Sequence, residues 1–494
     1  MKKTVLLALF LTVCAVVNSQ VSTDRNSLQS SFYEDYDQFL HIVESINPQL
    51  EVRKVVTGED ILSELKQLRS SIDTLYQADD FTRLMRKALN KLDDQHATLF
   101  DRVDYFAYTD FDSLSIRAAI DAATPKKELP SNIGDYFPLY LEYEDGNYLW
   151  AFKFTLKSMS DPKDSVAIPI GSILKKINGK NPEAYFKNNL LHYRWDNDHK
   201  KKHTQVRSYL KDLKKDIPIA LEYVDLNGVV KHFTYDRNKY YYYTSSPDYI
   251  FYIGQTPQVT FFDDESILYI YMPQMGDADF YVDQILEKTR NKDVRKVIWD
   301  IRRNPGGDDA VWRKTLEVLL KDTLKYERQL ATLDNDMANE ILEMNPYGFP
   351  IKLPFLNGKY KYVRSENVIV PSESSIRYDG VIYLLQDKQI YSSAGALAAA
   401  ARSTDKITSI GTTTGKFIGT GIMPQAFQLQ HSKLVFQIEP VLDITDVQSP
   451  YDYYQDKVEI PVKLTREDWA NYLKANNETL YSREFLFNKD PIFR

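Results

Sequence analysis

A multidomain α/β protein is the fold class this sequence predicts, and three observations predict it. The chain has 494 residues, more than a single hydrophobic core usually serves, so several domains are expected. Residues 25–100 repeat apolar side chains at three- and four-residue spacing, the period of a helix. From about residue 255, short apolar runs alternate with helical patterns, as in β–α–β units with near-parallel strands.

The first element is a leader. Lys2 and Lys3 precede an apolar run from Val5 to Val17, and Asn18-Ser19-Gln20 offers a cleavage site with small residues. Residues 1–19 therefore read as a secretory signal, too short for a comfortable membrane span. This predicts an exported protein, periplasmic or extracellular. The single cysteine, Cys14, lies inside the run. Leu11-Thr12-Val13-Cys14 resembles a lipoprotein box with Val13 where a small residue is expected, so a lipid anchor at Cys14 is the lesser alternative to release. Cleavage after Ser19 leaves no cysteine, which excludes disulfides and thiol catalysis.

Next, residues 25–115 are assigned to an N-terminal helical bundle. Phe32, Tyr36, Phe39, Leu40 and Val43 share one helical face, and Ile61, Leu62, Leu65, Leu68 and Ile72 repeat the pattern. Asp79-Asp80 starts a further helix through Leu84, Ala88 and Leu92. Residues 130–240 change to short strand-like runs. Ile170 to Lys180 reads as a strand and turn, with a helix from Pro182. Ile217–Val224 and Val229–Tyr235, joined at Asn227-Gly228, read as a hairpin.

Residues 255–470 carry the alternating core. Ile267–Tyr271, Val297–Ile301, Val381–Leu385 and Ile407–Ile410 read as strands, with helices at Tyr281–Lys288, Val311–Leu320 and Ala396–Arg402. An irregular insertion is expected near 325–375, and 471–494 reads as a C-terminal tail.

Composition is that of a globular protein, 43% hydrophobic and 27% charged. A net charge of −7 gives no nucleic-acid footprint. The 35 tyrosines, with a run at Tyr240 to Tyr243, are read as strand and surface aromatics, a peptide or glycan platform being the sharper alternative.

Three places could carry chemistry. Tyr391-Ser392-Ser393-Ala394-Gly395 joins an apolar strand to an alanine-rich helix. A serine there is either an N-cap or a nucleophile beside unpaired amides and the positive helix end. Asn304-Pro305-Gly306-Gly307 follows another strand, a turn suited to offering backbone N–H groups to an anion and equally to turning tightly. His96, in Asp94-Gln95-His96-Ala97, ends a helix, where a lone histidine is usually solvated or a dipole partner. His41, His96, His192, His199, His203, His232 and His431 include no HExxH spacing, and with one cysteine no Cys–His cluster exists. No metal site and no cofactor are expected. The loop Gly411-Thr412-Thr413-Thr414-Gly415-Lys416 fails P-loop spacing.

Together these pieces resemble the C-terminal processing (tail-specific) and tricorn-core serine peptidases, especially secreted bacterial forms. Val297 to Gly307 is similar to that family's strand and glycine turn, Tyr391 to Gly395 to its nucleophile turn, and Ile410 to Gly415 to its following loop. Asp94 to Ala97 resembles its D-x-H element, Gly171 to Gly179 its PDZ-like module, and Val458-Glu459-Ile460-Pro461 its late segment. All six keep the family's order.

The resemblance implies a PDZ-like domain over 130–240 and a crotonase-like ββα-superhelix core. It implies a serine endopeptidase acting through an acyl-enzyme on unfolded or C-terminal polypeptide. Ser393, followed by Ala394-Gly395, matches the nucleophile better than Ser392. Gly306 or Gly307 and the Ala394 amide would form the oxyanion hole. The base is His96 by one family solution, with Glu459 as a candidate partner, or Lys416 by the other. His96 is preferred because its ordinary pKa is close to working pH. Ala396 stands where the family has an acidic residue, and the D-x-H element is altered. The alternative is thus an inactive homologue, a secreted peptide- or glycan-binding protein.

Overall fold

The computed structural model describes residues 27–100, 137–150, 154–189, 194–210, 218–242, 256–341, 348–412 and 424–494, leaving out 76, 93, 95, 145, 162, 164, 170, 199–200, 237, 455–456, 466, 469–470, 473–474 and 476. The expected leader with Cys14, and Lys416 with its loop, lie outside the described residues. Mixed α/β layers make up the molecule, with helices and several separate sheets.

Its centre is a six-stranded sheet in the order Gln258–Phe262, Ile267–Tyr271, Lys296–Asp300, Ile382–Gln386, Ile407–Gly411, Ile460–Pro461. The last five run parallel and the first is antiparallel at the edge. Both faces are covered, which is why these strands read as unbroken apolar runs. Leu268, Ile270, Trp299 and Leu384 face a core built with helices Ala278–Thr289, Asp309–Leu319 and Ser393–Ala401. The alternate residues Tyr269, Tyr271, Ile298 and Leu385 face the other way. There the segment 477–494, expected as a tail, supplies Leu480, Phe485, Leu486 and Ile492 as a covering layer. Arg302 ties that layer to the strand end, bridging Asp300 at 2.5 Å and Asp490 at 2.7 Å.

The N-terminal helices pack Phe32, Tyr36, Phe39, Val43, Leu65 and Phe81 into their own core. That core continues into Leu99, Phe436 and Ile438 of a small sheet joining Thr98–Phe100 to Val435–Ile438. Phe39 meets Phe436 edge-on at 5.3 Å. The helices are thereby fixed to the far half of the sequence.

Residues between 137 and 235 form a seven-stranded antiparallel sheet in the order Val230–Tyr235, Ile219–Val224, Ile173–Ile177, Asn147–Trp150, Phe137–Glu144, Lys201–Leu210, Arg194–Asp198. The expected hairpin forms, but its loop is longer than an Asn-Gly turn. Asp225 accepts from the Asn227 and Val229 amides, both at 2.9 Å, and Gly228 takes φ 80°.

The insertion near 325–375 is not irregular. Leu324–Leu333 pairs with Tyr360–Ile369 over ten residues, flanked by Phe349–Ile351 and Leu442–Asp443. Arg328 hid this strand. It occupies a buried position where alternation calls for an apolar side chain, 3.8 Å from Asp443.

Candidate active site

Strand Ile382–Gln386 delivers the chain to a sharp turn at Ser392, and helix Ser393–Ala401 follows at once. Every residue of this helix is buried. A helix enclosed on all sides must be apolar all round, and alanines let its neighbours approach closely. Ser392 sits at φ 54°, ψ −121°, and its side chain makes no capping hydrogen bond. A non-glycine residue held there is strained, and such strain collects at functional sites. The half-buried Ser392 side chain is thus not used as a helix cap. Ser393 is 4% exposed, and its Oγ finds no partner among the described residues.

His96 arrives from the helical bundle. Helix Ala78–Asn90 ends, Asp94 accepts the His96 amide at 2.9 Å, and strand Thr98–Phe100 begins. That strand pairs antiparallel with Val435–Ile438, Thr98 opposite Gln437. Carrying the register two residues further sets His96 opposite Glu439. The side chains meet: Nδ1 lies 3.1 Å from Glu439 Oε2. On its other side Nε2 lies 3.2 Å from Ser392 Oγ. Tyr391 packs edge-on against the imidazole, with ring centroids 4.9 Å apart.

Glu439 is fully enclosed. Burial pushes its carboxyl up to about 7; the His96 imidazole pulls it down and the Asp94 charge pushes it up. Near neutrality, therefore, the Glu439 carboxyl is divided between its acid and its ionised form. An ionised Glu439 can only accept, which fixes the imidazole proton on Nδ1 and turns the Nε2 lone pair toward Ser392.

The glycine turn closes the site. Asn304 donates through Nδ2 to the Met272 carbonyl at 2.8 Å and accepts the Gly306 amide at 2.7 Å. Its carbonyl takes the Tyr391 amide at 3.0 Å, docking this turn onto the serine turn. Gly306 takes φ 105°, and a Cβ there would stand 2.6 Å from Ser392 Cβ. Gly307 takes φ 134°, and a Cβ would stand 2.1 Å from the Met275 carbonyl oxygen. Among the described residues no acceptor takes the Gly307 or Ser393 amide. The Ser393 amide directly follows Ser392 in the chain, and the Gly307 amide belongs to the turn whose Gly306 abuts the serine turn. Gly307→Ala is expected to lower stability by about 1–3 kcal/mol through overpacking and kcat by about 10²-fold through a displaced donor. Chemical denaturation and steady-state kinetics on one preparation check both numbers.

Several sequence expectations land elsewhere. His96 reaches Ser392, not Ser393, whose hydroxyl is sealed in the helix. The Ala394 amide is taken by the Tyr391 carbonyl at 3.1 Å, and that of Gly306 by Asn304. Of the two glycines it is Gly307 that keeps its N–H available. Glu459 is exposed beside the far edge strand, its amide held by Ser409 Oγ at 3.1 Å. The carboxylate beside His96 is Glu439, which sequence reasoning missed. Its one local signal is a charged residue closing the strand Val435–Ile438, all four of whose residues are buried. Lys416 lies outside the described residues.

Residues 266–446 match the model of peptidase family S41. No curated protein sequence matches the chain. Among solved structures, mature CPAF is similar with TM-score 0.55 at 12% identity, covering 90% of this chain and 96% of that one. Mature CPAF complexed with lactacystin gives 0.54 at 11%, covering 90% and 97%. A mutant of CPAF gives 0.56 at 11%, covering 90% and 96%. At these identities the likeness is one of fold.

Proposed function

We propose that this chain, a serine-type peptidase with a family S41 core at residues 266–446, cleaves polypeptide with Ser392 as nucleophile, His96 as general base and Glu439 as the carboxylate behind it. The observation that carries the assignment is the line Ser392 Oγ, His96 Nε2, His96 Nδ1, Glu439 Oε2, with gaps of 3.2 and 3.1 Å. Three remote parts of the chain converge to make it. Such a line is recognised by geometry and roles, not by position in sequence.

Ser392 Oγ attacks the scissile carbonyl carbon while His96 Nε2 takes the hydroxyl proton. The developing oxyanion lies against the Gly307 and Ser393 N–H groups, which are already oriented. The carbon–nitrogen bond then breaks and His96 returns the proton to the leaving amine, leaving Ser392 acylated. Water repeats the sequence, its proton going to His96 and its oxygen to the acyl carbon, and the acid departs with Ser392 restored. Glu439 holds the imidazole in the required tautomer and offsets its charge. His96 is favoured over Lys416 as the base because it is already at hydrogen-bond distance from the serine.

The finer architecture belongs to the same proposal. The central parallel sheet with its helices is a crotonase-like core. The seven-stranded sheet at residues 137–235 is a PDZ-like module that binds extended peptide by strand addition. Unfolded or C-terminal polypeptide is the substrate, and residues 1–19 direct export. An inactive binding homologue would have no use for a strained serine aligned with a buried acid–imidazole pair.

Labelling with a fluorophosphonate, then peptide mapping, tests the proposal. The adduct is expected on Ser392. Ser393→Ala should label at a normal rate and be neutral or slightly more stable, because it removes a buried hydroxyl without a partner. An adduct on Ser393, or none in a folded protein, would refute the assignment.

A further inference from the structure

We infer that Tyr391 and Asp94 form a positioning clamp that sets the His96 imidazole against Ser392, an inference that rests on the Ser392–His96–Glu439 reading. The hydrogen bonds that define the clamp run between these side chains and to the His96 main chain. Both residues are 3% exposed. The Tyr391 hydroxyl donates to Asp94 Oδ1 and accepts the His96 amide at 3.0 Å. Asp94 Oδ1 accepts that same amide at 2.9 Å. His96 therefore has its main chain held from two sides by one hydrogen-bonded pair, while its ring packs on the Tyr391 ring.

Tyr391 also touches the other parts of the site. Its amide donates to the Asn304 carbonyl at 3.0 Å, in the glycine turn. Its carbonyl accepts the Ala394 amide at 3.1 Å, inside the first turn of the serine helix. Ser392 is its neighbour in sequence. One residue thus indexes the oxyanion turn, the nucleophile and the base to one another. The task needs such a device, because His96 belongs to the bundle and the serine and glycine turns to the central core. Phenylalanine would fill the same volume. A tyrosine oxygen enclosed here carries a desolvation cost that its two hydrogen bonds offset. The function of those bonds is placement.

The test uses the full chain and four proteins: wild type, Tyr391→Phe, Asp94→Ala and Asp94→Asn. For each, kcat and KM are measured on one peptide, and fluorophosphonate adducts are mapped. Tyr391→Phe keeps the ring and loses the clamp. It is expected to lower kcat by about 10²-fold, the usual effect of an ångström-scale misplacement. KM should stay within about twofold, because only transition-state geometry is lost. Asp94→Ala should fall at least as far. Asp94→Asn keeps an oxygen that accepts both bonds and should recover at least about tenfold over alanine, which a merely space-filling role would not produce. If Asp94→Ala does not fold, Tyr391→Phe and Asp94→Asn still decide the matter. Unchanged kcat in Tyr391→Phe overturns the clamp, as does an effect confined to KM. Asp94→Asn no better than Asp94→Ala overturns it too, since charge would then be the active ingredient. A wild-type adduct on a serine other than Ser392 overturns the clamp together with its premise. An adduct on Ser392 with indifferent variants overturns the clamp alone.

Discussion

Ser392→Ala is expected to lower kcat by roughly 10⁴–10⁶-fold, the range found when the nucleophile of a serine–histidine–acid unit is removed. The residual rate should reflect binding and the oxyanion donors, which the substitution leaves in place. Stability should hardly move, within about 0.5 kcal/mol. The Ser392 hydroxyl caps nothing, and its recorded side-chain partner is His96. Large catalytic loss without loss of fold is what separates this residue from Ser393, whose alanine variant should keep both activity and fold. Circular dichroism melts and single-turnover assays on the two variants provide the comparison. Turnover within tenfold of wild type in a folded Ser392→Ala protein would remove the serine from the mechanism.

The two serines show where the sequence stops being informative. Strand and helix around them are legible from Val381–Leu385 and the alanine run, because burial on all sides selects residue types directly. Which serine is the cap position and which the first helical residue depends on one φ/ψ pair, and neighbouring residues on a helix point about 100° apart. Similarity to a motif pointed to Ser393, one residue past the serine that faces His96, and to the Ala394 amide with it. The structure starts the helix at Ser393, so the hydroxyl that meets His96 is that of Ser392, and the amide left without an acceptor among the described residues is that of Ser393.

His96 was legible because its spacing from Asp94 is local. Glu439 was not, because its partner lies 343 residues away and is chosen by the register of two short strands. Glu459 and Glu439 look alike in the sequence, each beside an apolar run and a proline. The pairing of Thr98 with Gln437 separates them. The hairpin Leu324–Leu333 with Tyr360–Ile369 was obscured by the same kind of long-range pairing, a buried Arg328 standing 3.8 Å from Asp443 more than a hundred residues on.

Glu439→Gln is expected to lower kcat/KM by about 10³–10⁴-fold, the scale seen when the acid behind a catalytic histidine is neutralised. The glutamine oxygen can still face Nδ1, but it offers no charge to the imidazolium that forms as Ser392 is deprotonated. Stability should move the other way, and with pH. The Glu439 carboxyl is raised from 4.5 to about 7, chiefly by burial. A raised group adds stability below its unfolded value, and that contribution is lost as pH rises through the folded one. Between pH 4.5 and 7 the unfolded chain ionises while the folded one resists, so wild type loses up to about 3 kcal/mol from this group. Glutamine does not titrate. The variant should match wild type most closely near pH 4.5 and gain on it steadily up to pH 7, in denaturant titrations run at each pH. Activity runs opposite to this gradient: wild-type kcat/KM should rise through an apparent pKa near 7, as the pair gives up the proton that blocks His96. The site is therefore most competent where its buried carboxylate is most costly to the fold. A folded Glu439→Gln protein with kcat/KM within tenfold of wild type would remove the carboxylate from the mechanism. A stability difference flat in pH would deny that the folded state resists ionising it.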